Sequence, residues 1–188
     1  MPYDPGRHHR RSIRLRGYDY TSAGAYFITI CAHRRECLFG EVVDGAMRLN
    51  VYGRVVDACW QAIPDHFPRV MLDVYVIMPN HVHGIIAIVD DPPVGARHAS
   101  PLRPLSPRLD GVRGPAPGSL GAIIGSFKSA ATRRINRLRG VSGLPVWQRN
   151  YYERIIRDDD ELQLARAYVF NNPAAWPDDE NHPDRLPG

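Results

Sequence analysis

Lysine is nearly missing from this 188-residue chain: of 24 basic side chains only Lys128 is a lysine. The planar arginine fork binds phosphate bidentately and stacks on bases, so the bias is compatible with a nucleic-acid partner. The arginine-favouring codons of a GC-rich genome would give the same ratio with no functional content. Cysteine is scarce too. Cys31, Cys37 and Cys59 are odd in number and show no Cys-x-x-Cys spacing, which argues against a disulfide framework or a zinc ribbon and for reduced thiols in or near the core. No run of about 18 uninterrupted apolar residues occurs, so no transmembrane helix and no membrane partner are expected. The arginine-rich N-terminus lacks the apolar stretch of a signal peptide, and the expected location is cytoplasmic. No internal repeat is visible.

What the chain does contain is enough for one ordinary domain with a core, since hydrophobic residues make up 44%. The net charge of +4 is modest, but its carriers are grouped. Arg7, Arg10, Arg11, Arg14 and Arg16 form an N-terminal arm in which Asp4 is the lone acid. Lys128, Arg133, Arg134, Arg137 and Arg139 load one helix. Two such clusters on a small domain look like phosphate-tracking surface.

Periodicity and punctuation set the expected elements. A strand over 26–32 precedes a hairpin of 38–43 and 47–50 turned at Asp44-Gly45. A helix over 51–67 carries Val55, Val56, Cys59, Trp60 and Ile63 on one side. Strands over 70–78 and 81–89 flank Pro79-Asn80. Residues 90 to 117 hold seven prolines, so they read as a flexible, proline-rich insert. Ser119 caps a helix to about Leu138, whose apolar residues follow helical spacing. A strand over 151–156 and a helix over 159–171 close the list; Asp158 to Asp160 favour its start and Pro173 its end. Without the hairpin the order is β-α-β-β-α-β, an α+β fold with the ferredoxin-like antiparallel pattern. The division is then a basic arm over 1–17, a domain over 18–176 and a tail over 177–188.

Two constellations carry possible chemistry. His81 and His83 are one residue apart in a strand, so their side chains share a face with bases roughly 6.5 to 7 Å apart. Two ring nitrogens leaning onto one ion fit that spacing, as does a polar pair that merely decorates an exposed strand face. On the last helix Leu164, Tyr168 and Asn172 recur at i, i+4 and i+8, so a tyrosine and an amide share a side. The plainer alternative makes Tyr168 a rim aromatic and Asn172 a C-terminal cap.

Three motifs in order then carry a family resemblance: Met78-Pro79-Asn80-His81-Val82-His83, the run Trp147-Gln148-Arg149-Asn150-Tyr151-Tyr152-Glu153, and Tyr168 through Asn172-Pro173 at the end of the last helix. Together they resemble the single-tyrosine HUH transposases, and more narrowly the REP-associated tyrosine transposase branch, over roughly residues 18 to 176. The resemblance implies that His81 and His83 bind a divalent metal, that Tyr168 is the nucleophile, and that Asn172 can complete the metal shell. Tyr151 and Tyr152 compete for the nucleophile's role; their alternation with arginines and isoleucines reads as sheet packing. The implied substrate is single-stranded or hairpin DNA, cleaved through a 5′-phosphotyrosine link. A set of two imidazoles and an amide suits Mg2+ or Mn2+, with zinc the softer alternative. Candidate DNA contacts are Arg14 and Arg16 in the arm, Lys128, Arg133 and Arg137 on the helix, and Arg149 and Arg154 beside the tyrosines. Homodimerisation is left open.

Two rival functions compete. One is a nucleic-acid-binding module of the same fold that has lost the reaction; the joint presence of His81, His83, Tyr168 and Asn172 counts against it. The other is a two-histidine phosphoesterase, which needs two separate His-x-Ser/Thr elements. Here Gly84 follows the pair, His98-Ala99-Ser100 is a single such element where two are needed, and His33, His66 and His182 lack such partners.

Overall fold

The computed structural model describes residues 19–90 and 115–185. Arg14 and Arg16, with the rest of the arm, and residues 91–114 of the insert lie outside the described residues. The elements are β1 (Gly24–Cys31), β2 (Gly40–Val43), β3 (Ala46–Leu49), α1 (Val51–Gln61), α2 (Ile63–His66), β4 (Val70–Ile77), β5 (His81–Ile88), α3 (Leu120–Leu138), β6 (Tyr152–Ile156) and α4 (Asp159–Asn171). Four strands form one sheet in the order β4-β5-β1-β6, every neighbouring pair antiparallel. This is the ferredoxin-like arrangement, with β2 and β3 as a separate inserted hairpin. Among the described residues no helix is long and apolar enough to cross a membrane.

Local chemistry sets the boundaries. The β2–β3 turn has positive φ at both central residues, Asp44 at 52° and Gly45 at 72°, as a two-residue hairpin of matching twist requires. Asn50 caps α1 by accepting from the amides of Tyr52 and Gly53, and Ser119 caps α3 by accepting from Ala122. The single helix expected over 51–67 is broken at Ala62. Pro64 has no amide to offer the carbonyl one turn back, so the segment restarts as the short α2.

The helices α1 and α3 cover one sheet face. Tyr26, Ile28 and Ile30 of β1, Val82 and Ile86 of β5, Trp60 of α1 and Ile123, Ile124, Phe127 and Ile135 of α3 are buried together there. Each buried isoleucine contributes roughly 1.5–3 kcal/mol, so this face holds the main core. Gly84 lies beneath the Trp60 ring, which stands where a Cβ would be. That close approach explains a glycine in an otherwise β-branched strand.

Period-2 alternation turns Phe27, Thr29, His81 and His83 to the other face, where α4 crosses. Its polar start is capped by Asp158, which accepts from the Glu161 amide. β4 is bulged between Leu72 and Tyr75, and the bulge carries Asp73. There Arg166 of α4 forks onto the carboxylate, with Nη2 2.6 Å from Oδ2. An ion pair thus holds the last helix across the histidine face. Residues 177–185, expected as a tail, pack back onto the same face through two short 3-10 turns, Trp176–Asp178 and Pro183–Arg185.

Candidate metal centre and nucleophile

β5 is an inner strand covered on both faces, so its two histidines are buried rather than displayed on a surface. Their rings meet edge to face with centroids 4.4 Å apart. Each outer nitrogen has a partner: Nδ1 of His81 lies 2.8 Å from Asn80 Oδ1, and Nδ1 of His83 lies 2.8 Å from Thr29 Oγ1 on the neighbouring strand. The two Nε2 atoms therefore point inward. Burial pulls the pKa of His81 down to about 4, outweighing the nearby Asp179 carboxylate. His83 is lowered too, by burial and then by His81. Both rings are neutral near pH 7, the form that offers a lone pair to a metal.

The third member of the cluster was not foreseen. Asp179 is buried, and its Oδ2 lies 3.9 Å from His81 Nε2. Ligand atoms of His81, His83 and Asp179 all fall within 4.8 Å of one another. Asn172, one turn past Tyr168, is also buried here and donates from Nδ2 to Asp179 Oδ2 at 3.2 Å. His81 Nε2 and Asn172 Oδ1 are buried with no hydrogen-bond partner. Such atoms are rare because each costs the loss of its water. Two inward-facing orphan acceptors beside a carboxylate fit a cation, and these residues can hold a divalent metal.

Asp179 lies in a polar segment whose sequence carries no element signal. Trp176 was the available clue: a tryptophan three residues before the aspartate needs a core to pack on, and it finds His81 at 6.0 Å and His182 at 4.8 Å between ring centroids. Asn181 completes the fastening, its backbone N–H donating to Asp179 Oδ1 at 2.6 Å.

The helix α4 brings Tyr168 over this cluster. Its hydroxyl lies 3.4 Å from His83 Nε2, and its ring meets His83 and Phe27 edge to face at 5.1 and 5.7 Å. Tyr168 stays 45% exposed, so one side of the ring faces solvent. Burial of the rest, followed by Asp179 and Glu180, raises its pKa. Tyr152 touches the same Phe27 at 6.4 Å from the outer side, and Tyr151 packs against the core of the opposite face.

The predicted DNA contacts divide. Arg154 is exposed on the α4 side of β6 and paired with Glu161 at 2.9 Å. Arg149 is exposed in the loop before β6. Arg133 and Arg137 are exposed on α3, in the layer across the sheet from Tyr168. Lys128 does not stand free: its Nζ donates to the carbonyls of Gln148 and Arg149 at 2.6 and 3.1 Å. It braces the Trp147–Arg149 segment. Of the thiols, Cys59 is buried and Cys31 partly so, whereas Cys37 is exposed, outside the expected core.

No protein-family model matches the chain. An uncharacterized protein of Haemophilus influenzae is 43% identical over 185 residues, covering 97% of this chain and 98% of that one; the two belong to one family. Among solved structures, the REP associates tyrosine transposase bound to a REP hairpin superposes with a TM-score of 0.53, covering 85% of this chain and 72% of that one at 17% identity. This chain has the fold of the REP-associated tyrosine transposases. In this chain the four-stranded antiparallel sheet carries helices on both faces. Its paired histidines sit on an inner strand and its last helix lies above them.

Proposed function

We propose that the chain is a metal-assisted endonuclease and strand transferase acting on single-stranded or hairpin DNA, with Tyr168 as its nucleophile. The observation that carries this reading is the 3.4 Å approach of the Tyr168 hydroxyl to Nε2 of a buried, neutral histidine in the cluster that could hold a metal ion. His81, His83 and Asp179 are the proposed metal ligands, and Asn172 supplies an amide oxygen. Their mixture of imidazole, carboxylate and amide suits Mg2+ or Mn2+. A bound divalent ion would polarise a nonbridging phosphate oxygen and offset charge developing on the phosphoryl group.

The chain's own residues account for the rest. Phe27 and His83 hold the Tyr168 ring edge-on, which aims its oxygen at the centre and leaves the outer side open to a strand. The phenolic oxygen attacks phosphorus, the Tyr168–phosphorus bond forms, and the bond to the 3′-oxygen breaks. The DNA is left joined through its 5′-phosphate to Tyr168, and the departing 3′-oxygen takes up a proton. The raised pKa of Tyr168 means its proton must be removed as the bond forms, and the half-exposed ring gives solvent that access. A later attack by a 3′-hydroxyl on the same phosphorus reverses the bonding and joins strands.

DNA reaching Tyr168 would meet Arg154 and Arg149 first. Arg133 and Arg137 would engage only DNA long enough to pass round the sheet edge, and Arg14 and Arg16 would add grip from the arm. The hairpin bound by the transposase of the same fold supports a hairpin substrate. The test is cleavage of labelled single-stranded hairpins with Mn2+. Tyr168→Phe should abolish cleavage while hairpin binding persists, and a Tyr168→Phe chain that still cuts would refute the assignment.

A further inference from the structure

Asn80 is fully buried, and its side chain is bonded at both ends. Its Nδ2 donates to the Arg35 carbonyl at 3.0 Å and to the Asn181 carbonyl at 2.7 Å. Carbonyl oxygens only accept, so the end facing them must be nitrogen and the other end oxygen. That oxygen lies 2.8 Å from His81 Nδ1. An amide oxygen also only accepts, so His81 Nδ1 must carry the proton. A neutral imidazole holds one, which leaves the lone pair on Nε2, the atom facing Asp179. His83 is under no such constraint, because the Thr29 hydroxyl at its Nδ1 can either donate or accept.

We propose that Asn80 is a positioning residue for the metal centre: it locks His81 in the Nδ1–H tautomer and, through Asn181, fastens the segment that delivers Asp179. One amide thereby brings together two ligands supplied by distant parts of the chain. The oxygen end sets which nitrogen of His81 is available. The nitrogen end holds the Asp179–Asn181 turn through the Asn181 carbonyl, where the Asn181 backbone N–H in turn donates to Asp179 Oδ1. Burial alone asks that both ends of the amide be satisfied; it is the placement of the oxygen end against His81 Nδ1 that specifies the tautomer. The significance for a metal rests on the function proposed above, whereas the tautomer does not.

Long-range 15N–1H correlation spectra of the metal-free full chain near pH 7 read the tautomer directly. In the unmodified protein His81 should show a pyrrole-type Nδ1 and a pyridine-type Nε2. In Asn80→Ala that preference should be lost, and Mn2+ affinity measured by titration calorimetry should fall by about 10–100-fold, the usual effect of removing an outer-shell partner. A pyrrole-type Nε2 in the unmodified protein would overturn the proposal, even if Asn80→Ala does not fold. So would an unchanged His81 tautomer in a folded Asn80→Ala chain. An unmodified chain with the Nδ1–H form that binds no Mn2+ would support the lock and refute the metal reading.

Discussion

Arg166 of α4 and Asp73 of the β4 bulge form a forked ion pair, with Nη2 2.6 Å from Oδ2 and Nε 3.1 Å from Oδ1. Tyr168 follows two residues later on the same helix, so this pair fixes how the hydroxyl approaches His83. Arg166→Ala should lower the cleavage rate by about 10- to 100-fold, because misplacing a reacting group by an ångström costs on that order. Hairpin affinity and Tm should change little. A wild-type rate in Arg166→Ala would show that the apolar contacts of α4 suffice to hold Tyr168.

The metal cluster makes a graded prediction. His81→Ala and His83→Ala each remove a neutral nitrogen donor and should abolish measurable Mn2+ binding. Asp179→Asn keeps the shape but removes the carboxylate charge and should weaken binding strongly. Asn172→Ala should weaken it less, because water can fill one vacated position. Titration calorimetry on each variant checks the order. Unchanged affinity in the double histidine variant would end the clamp reading.

Acid should destabilise the metal-free protein through the same histidines. The folded pKa of His81 is depressed to about 4 from an ordinary value of 6.5 by burial. The unfolded chain therefore binds a proton that the folded chain refuses. The stability contributed by the neutral ring is fully present above about pH 6.5, and it falls as pH drops from there toward about 4. His83, lowered in the same direction, adds to the loss. Urea midpoints across that window should decline, and His81→Gln should flatten the decline. A midpoint independent of pH between 6.5 and 4 would contradict this.

Much of the architecture was legible because strong local signals agreed. Asp44-Gly45 demanded a hairpin, Ser119 and Asp158 demanded helix starts, and the β-branched strands left little choice of element. The face shared by His81 and His83 follows from strand alternation, and that shared by Tyr168 and Asn172 from helical spacing. Their meeting required the sheet order, which no local pattern fixes. Asp179 was illegible for a different reason: its segment is ordered by bonds from the Asn80 and Asn172 side chains and the Asn181 backbone N–H, and by the packing of Trp176, none of which leaves a periodic trace. The bracing role of Lys128 was not legible, because a basic residue on a helix reads as solvent-facing, while here its stem carries the ammonium to two loop carbonyls. Pro64 was readable in the chain, but the apolar spacing of 51–67 masked its break.

Salt dependence should separate the two arginine layers. Binding to a single strand should weaken with salt by a slope of about 0.7 per contacted phosphate. Arg149→Ala should reduce that slope by about one contact on a short strand. Arg133→Ala with Arg137→Ala should leave the short-strand slope unchanged and flatten it only for longer hairpins with flanks, since α3 lies across the sheet from Tyr168. Removing residues 1–16 should act as the α3 pair does if the arm wraps DNA. Unchanged slopes in every variant would mean these arginines are solvated surface.

Mapping a covalent adduct tests the central claim most directly. The full-length protein, incubated with a labelled single-stranded hairpin and Mn2+, should yield a species that survives denaturation. Digestion and mass spectrometry should locate the nucleotide on the α4 peptide, at Tyr168. An adduct on Tyr151 or Tyr152, or cleavage without any adduct, would contradict the assignment of Tyr168 as the nucleophile.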